Sequence, residues 1–284
     1  MQTPLFHRWL RLSFALAIVA GLAGCASAPL ETAGSLSSYE ALAPAEGIVT
    51  RSKLRVDKSE LLAAKSVTII STSFSRAAAR ADLSEKQRHV IANAIDRSVC
   101  IGLGDRFEVV PPGRAADLTV HVTVTHVDVT DAAVAGASKA VSAVPMFLTG
   151  GASYIVVPRI PLGMGSLSVE AEAMDIHGRQ KAALVWARGA DMLTSTPRVS
   201  ASGDPYDLAG EFGADFSKLL VTGDNPFTKQ LSMPTMQRVQ STLGGKPKYA
   251  ACDAFGRSGI PAFLGGKVLG APPEWVDDAA PVTD

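Results

Sequence analysis

Few side chains in this sequence are placed to do chemistry. Glu170 and Glu172 alternate along the run Leu167 to Met174, so an extended strand sets both carboxylates on one face, about 7 Å apart at the Cα level. A carboxylate pair on that scale suits acid/base work on a glycan. His121 lies on a second alternating run, where it could meet Glu170 or Glu172 across a strand pair as an ion pair or a metal ligand. His126 follows five residues later, on the opposite face of a regular strand unless a bulge intervenes. The competing reading of the same residues is a solvated sheet face whose glutamates meet Lys or Arg. No aromatic-rich sugar cleft accompanies them, so Glu170, Glu172 and His121 stand as candidates only and no catalytic residue is assigned.

The remaining motifs are sparse. Cysteines at 25, 100 and 252 lack the paired spacing of a zinc site, so neither a metal nor another cofactor is expected. No G-x-S-x-G elbow supports a serine triad. Gly163-Met-Gly165 and Gly244-Gly245 lack the strand-to-helix context of a phosphate loop. With 27 basic and 27 acidic residues, bulk electrostatics give no reason to expect a nucleic-acid partner. At 284 residues and 47% hydrophobic, the chain is long and apolar enough to bury a core without relying on disulfides.

The N-terminus carries an export pattern. Arg8 and Arg11 stand in an acid-free opening, and an apolar run from Leu12 to Leu22 is too short to span a bilayer comfortably. It ends in Leu22-Ala23-Gly24-Cys25, which resembles the lipobox of bacterial lipoproteins. The resemblance implies cleavage between Gly24 and Cys25, a diacylglyceryl thioether on the Cys25 sulfur, and acylation of the freed amine. Two or three acyl chains exceed what stable anchoring needs. Ser27 rather than an aspartate lies just past the cysteine, which implies the outer membrane in a two-membrane cell. With Cys25 acylated, Cys100 and Cys252 are the remaining thiols; an exported chain could bridge them, or Cys100 could stay buried and unpaired.

Residues 1–24 read as a signal peptide and 25–50 as anchor and tether. Within that tether Leu36 to Leu42 reads as a short docking segment bracketed by Gly34 and Pro44. Residues 51–223 read as an α+β domain in the order β-α-β-β-β-β-α, mostly antiparallel, with helices on one face. Its strands are expected at Val67 to Phe74, at Phe107 to Val110, and at Leu118 to Val129 with a bulge near Thr125-His126. A hairpin follows, with Leu167 to Met174 turning at Asp175 to Gly178 into Ala182 to Ala190. One helix opens at the Ser84-to-Gln87 capping box and stops at Gly102 and Gly104, with Asn93, Asp96 and Arg97 mostly away from its apolar side. A second starts at an Asp204 N-cap with Pro205 at N1 and ends before Gly223. Ala132 to Pro158 reads either as a helical crossover or as an apolar surface hairpin tipped by Met146, Phe147, Leu148 and Tyr154. Residues 224–284 are a Pro/Gly-rich extension, with a short helix expected near Pro234 to Leu243.

Taken in order, Leu36 to Tyr39, Leu83 to Ile91, Leu118 to Val129 and Ser166 to Glu172 resemble the DUF3313 family of bacterial lipoproteins over about residues 34–221. That resemblance brings no established activity and no catalytic residues to carry over. The resulting expectation is a lipid-anchored periplasmic domain that binds an envelope protein or peptidoglycan and touches the membrane through Cys25. The alternatives are an envelope hydrolase using Glu170, Glu172 or His121, and a lipid-handling module with an apolar cavity under its sheet.

Overall fold

A computed structural model describes residues 28–148, 159–228, 234–258 and 263–277. The alternation along Leu118–Asp128 becomes the long strand β6 at the centre of the sheet, with Leu118, Val120, Val122 and Val124 buried and Thr119, His121 and Thr123 half-buried. Ahead of it come β1 (Ala43–Pro44), β2 (Thr50–Val56), helix α1 (Lys58–Ala63), β3 (Ser66–Ile69), β4 (Ser73–Phe74), helix α2 (Glu85–Leu103) and β5 (Glu108–Val109). After it come α3 (Ala132–Leu148), β7 (Ser166–Asp175), β8 (Gln180–Gly189), α4 (Gly203–Thr222), α5 (Met236–Thr242) and α6 (Pro273–Val276). The strands order as β1-β2-β8-β7-β6-β3-β5, with β4 beside β6. The pairs from β1 through β6 are antiparallel, and β3 and β4 join in parallel. This is the mixed, mostly antiparallel α+β fold that the strand periodicities imply. The register shift between Val124 and His126 is the bulge that the slip in alternation required.

Helices α2 and α4 lie together over one face of the sheet. Val90, Ile91, Ile95 and Val99 of α2 and Leu208, Phe212, Phe216 and Leu219 of α4 are buried with Val169, Leu184 and Trp186 in one apolar core. Trp186 meets Phe212 edge-on at 5.6 Å between centroids and donates its indole N–H to Asp215 at 3.0 Å, so burying this large ring leaves no polar atom unpaired.

Several local expectations change in the structure. Gly102 does not stop α2, which runs to Leu103 and caps at Gly104. A Cβ at Gly102 would lie 2.1 Å from the Ser217 hydroxyl, and one at Gly213 would lie 2.5 Å from Ser98 Cβ, so these two glycines let α2 and α4 approach closely. Asn93, Asp96 and Arg97 are buried rather than turned to water, because the β3–β4 link and the C-terminal extension cover their side of α2. The strand expected from Val67 to Phe74 divides in two. Asp96 accepts the Thr72 amide at 3.0 Å and its hydroxyl at 2.6 Å, drawing that residue out of the ladder. Ser202, not Asp204, occupies the N-cap of α4. Asp204 instead faces inward, accepting the Gly165 amide at 2.7 Å and pairing with buried Arg159.

The C-terminal extension is held to the domain. Cys100 and Cys252 are bonded, closing a separation of 152 residues. Arg97 meets Asp277 at 2.6 Å and the Phe255 carbonyl at 3.2 Å, and Tyr206 also donates to Asp277. A buried cation thus finds a charge partner and further hydrogen bonds, which its burial requires. Residues 132–148 are helical, but they connect β6 to its antiparallel neighbour β7 and so make no crossover, while Tyr154 and residues 149–158 lie outside the described residues.

Candidate functional site

The sheet face opposite α2 and α4 is built by the second half of the β7 alternation. Ser168, Glu170 and Glu172 project there because Val169, Ala171 and Ala173 point to the helices. Both carboxylates are buried, with Glu170 0% and Glu172 3% exposed. That overturns the solvated-face reading. The cover is neither a helix nor a neighbouring strand but residues 28–42, an irregular strap, bent at Gly34, Leu36 and Ser37, laid along β7.

The main chain of the strap meets β7 in order, at Ser168, Glu170 and Glu172, and the Tyr39 side chain reaches back to Glu170. The Pro29 carbonyl accepts from Ser168 Oγ at 2.5 Å. Glu170 Oε1 accepts from the Ala33 amide (3.2 Å), the Ser35 amide (2.8 Å) and the Ser35 hydroxyl (2.5 Å), while its Oε2 accepts from Tyr39 Oη at 2.7 Å. Glu172 Oε2 accepts from the Ser37 amide and hydroxyl at 2.8 and 2.6 Å and from Gln180 Nε2 at 2.8 Å. Leu36 is buried against Ala183 and Val185, with Leu30 and Leu42 at the margin. Burial, and then the bond to Glu170, raise the Tyr39 pKa, which keeps its phenol a donor. Each carboxylate therefore receives several donors, the condition for holding a carboxylate inside a protein.

His121 is the Cα partner of Glu172 across the β6–β7 pair, as a neighbouring-strand meeting requires, yet among the described residues no ion pair joins their side chains. His126, displaced by the bulge, stands 3.5 Å from Glu31 of the strap and 3.2 Å from Asp128. No group of three or more His, Cys, Asp or Glu among the described residues is arranged to hold a metal. Chemically the arrangement is a clip: the donors on Glu170 and Glu172 come from this chain, and the strap covers the place where a substrate would have to reach them.

The composition of residues 26–35 reads as a tether, whereas the strap is docked from Ala28 onward, where Ala28 is already buried. Ser35, Ser37 and Tyr39 were invisible as partners of the glutamates. The available signal was a match of periods, since Ser35 and Ser37 alternate as Glu170 and Glu172 do.

A family model described as "Protein of unknown function (DUF3313)" matches residues 31–216. The chain belongs to the DUF3313 family. The family match takes in most of the strap, the sheet, α2 and most of α4, and ends before the C-terminal extension. No curated protein matches the chain. Among solved structures, the PelC dodecamer from Paraburkholderia phytofirmans is similar in two crystal forms. A point variant gives 9% identity and a TM-score of 0.32, covering 62% of this chain and 99% of that one. The second form gives 8% identity and a TM-score of 0.32, covering 61% and 98%.

A separate cavity of about 300 Å³ lies beside the Cys100–Cys252 bond, lined by Asp105, Arg238, Lys248 and Tyr249 among others. Its charges are paired internally, Arg238 with Asp105 at 3.1 Å and Lys248 with the Gly104 carbonyl at 2.8 Å. It sits beside the extension and is not the apolar chamber under the sheet that lipid handling would need.

Proposed function

We propose that this DUF3313 protein is a lipid-anchored envelope protein, held by acyl chains on Cys25 to the periplasmic face of the outer membrane, whose domain binds another envelope component rather than hydrolysing one. The observation that carries this reading is the closure of Glu170 and Glu172 by the strap. A general acid or base must reach the proton it moves, and these carboxylates are enclosed by donors from Ala33 to Tyr39. Their geometry supports a mechanical role, fastening the segment next to the anchor onto the domain. The lipobox at Leu22 to Cys25 supports the anchor, and the near balance of charge supports a partner recognised by shape and local contacts.

The test pairs labelling with capture. A palmitate analogue fed to cells should label the wild-type chain and leave Cys25→Ser unlabelled. Crosslinked envelopes should then yield a protein or peptidoglycan fragment with the wild-type chain above the Cys25→Ser control. An unlabelled wild-type chain, or capture equal to the control, contradicts the reading. Glycan cleavage by the purified protein that is lost in Glu170→Gln would restore the hydrolase.

A further inference from the structure

We propose that one end of the sheet is a lipid-contacting rim, formed by the β1–β2 turn, residues 159–165 before β7 and residues 190–194 after β8, and that it rests on the bilayer that holds Cys25. This deepens the anchoring reading above and depends on it. Three observations carry it: where the strap enters, what the rim exposes, and how far both reach.

The strap contacts Ser168 through Pro29, then Glu170 through Ala33 and Ser35, then Glu172 through Ser37, so it descends β7 from its N-terminal end. Pro29, the second of the described residues, thus sits near the sheet end at Ser166, where Glu31 also meets His126. Ser168, Ala187 and Arg51 form one cross-strand row. From that row Cys25 is four residues before Pro29, a reach of at most about 14 Å. The turn residue Ile48 lies three residues beyond Arg51, or about 10 Å along the strand direction. Two strand spacings, about 10 Å, separate β2 from β7 laterally. An anchor at Cys25 therefore brings the bilayer surface within contact distance of the turn.

The same end gathers exposed apolar side chains. Ile48 is 99% exposed at the tip of the β1–β2 turn, beside exposed Val49. The loop before β7 presents Leu162, 65% exposed, and the loop after β8 presents Leu193, 68% exposed. These two loops are tied together by the Arg159 amide on the Met192 carbonyl at 3.0 Å and the Ala190 amide on the Gly165 carbonyl at 2.9 Å. Exposed charges at Glu46 and Arg51 flank the tip, at the depth where headgroups would lie. Apolar tips with charged shoulders, on rigid sheet ends, suit insertion into the headgroup–acyl boundary. At the opposite end, exposed Ile176 lies in the β7–β8 turn beside the ion pairs of Asp175 with Arg179 and Lys181, and exposed Met236 and Leu243 lie on and just after α5, which is fastened to Asp105 past the end of α2.

The experiment places an indole at either end of the lipidated, full mature chain. Ile48→Trp and Ile176→Trp are exposed positions that the fold tolerates, and both variants keep the same native tryptophans. Each is reconstituted into vesicles of phosphatidylethanolamine and phosphatidylglycerol whose acyl chains are brominated near the glycerol end. The indole at position 48 should shift to shorter emission wavelength and be quenched several-fold more strongly than the one at 176. Co-flotation with the vesicles but equal quenching at the two positions, whether strong or absent, overturns the rim while leaving the anchor standing. Failure of the chain to float with vesicles overturns both.

Discussion

Strand β7 shows one backbone serving two opposite solvents. Toward the helices it places Val169, Ala171 and Ala173, small and apolar, beneath Trp186 and the rings of α4. Toward the strap it places Ser168, Glu170 and Glu172, each engaged by hydrogen bonds from or to residues 29–39. The first face is held by burial, which is strong and indifferent to direction. The second is held by charge-assisted hydrogen bonds, whose net contribution is smaller but whose geometry admits one register only. The helix face should therefore set how stable the domain is, and the strap face where the anchor-proximal segment lies.

The largest effect is expected on the helix face. Trp186→Ala should lower unfolding free energy by about 3–5 kcal/mol in denaturant titrations, since it removes a fully buried ring and leaves a cavity. Next comes the outer layer on the same side. Breaking the long closed loop with Cys100→Ser and Cys252→Ser should cost about 2–5 kcal/mol, with protease sensitivity appearing first in residues 224–277.

Asp96 gives a pH test of that layer. Burial pushes its carboxyl up to about 7, against the lowering influence of its two Thr72 bonds. From pH 4 to 7 the unfolded chain ionises this group while the folded chain keeps it protonated, so stability falls as pH rises through that window and levels above it. The decline should be on the order of 4 kcal/mol, and Asp96→Asn should remove that part of the slope in denaturation midpoints measured across the window.

The strap face should yield less. Glu170→Ala removes the acceptor of four strap bonds, but the freed donors can undock and find water, which limits the loss to about 2 kcal/mol. A loss as large as that of Trp186→Ala would break the contrast between the faces. The smallest change belongs to the exposed Lys58–Asp224 pair, where Lys58→Ala should shift stability by at most about 0.5 kcal/mol.

What the sequence disclosed follows the same division. Period-two runs and a capping box are local statements, so β6, its bulge, the β7–β8 hairpin and the start of α2 could all be read directly. The β1–β2 pair could not, because Thr50–Val56 mixes charged and apolar residues without a clear core face until β8 lies beside it. The docking segment at Leu36 to Leu42 could be read, but the first half of the strap and the partners of the whole could not, for another reason. Ala, Ser, Gly and Pro are what a linker also contains, and its partners lie some 135 residues away in sequence. The burial of Asp96 and Arg97 likewise depends on distant segments, Thr72 and Asp277, that no helical pattern announces. Glu170 and Glu172 were legible as a pair on one face; what covers them was not.

Hydrogen exchange at the Ser35 and Ser37 amides tests the closed clip most directly, because each amide donates to one of the two glutamates. A closed clip gives slow exchange at both in the wild-type chain, and a large acceleration at Ser35 in Glu170→Ala with the β6 amides unchanged. Exchange of both amides at the rate of an unstructured peptide in the wild-type protein would contradict it, and would return Glu170 and Glu172 to open solvent.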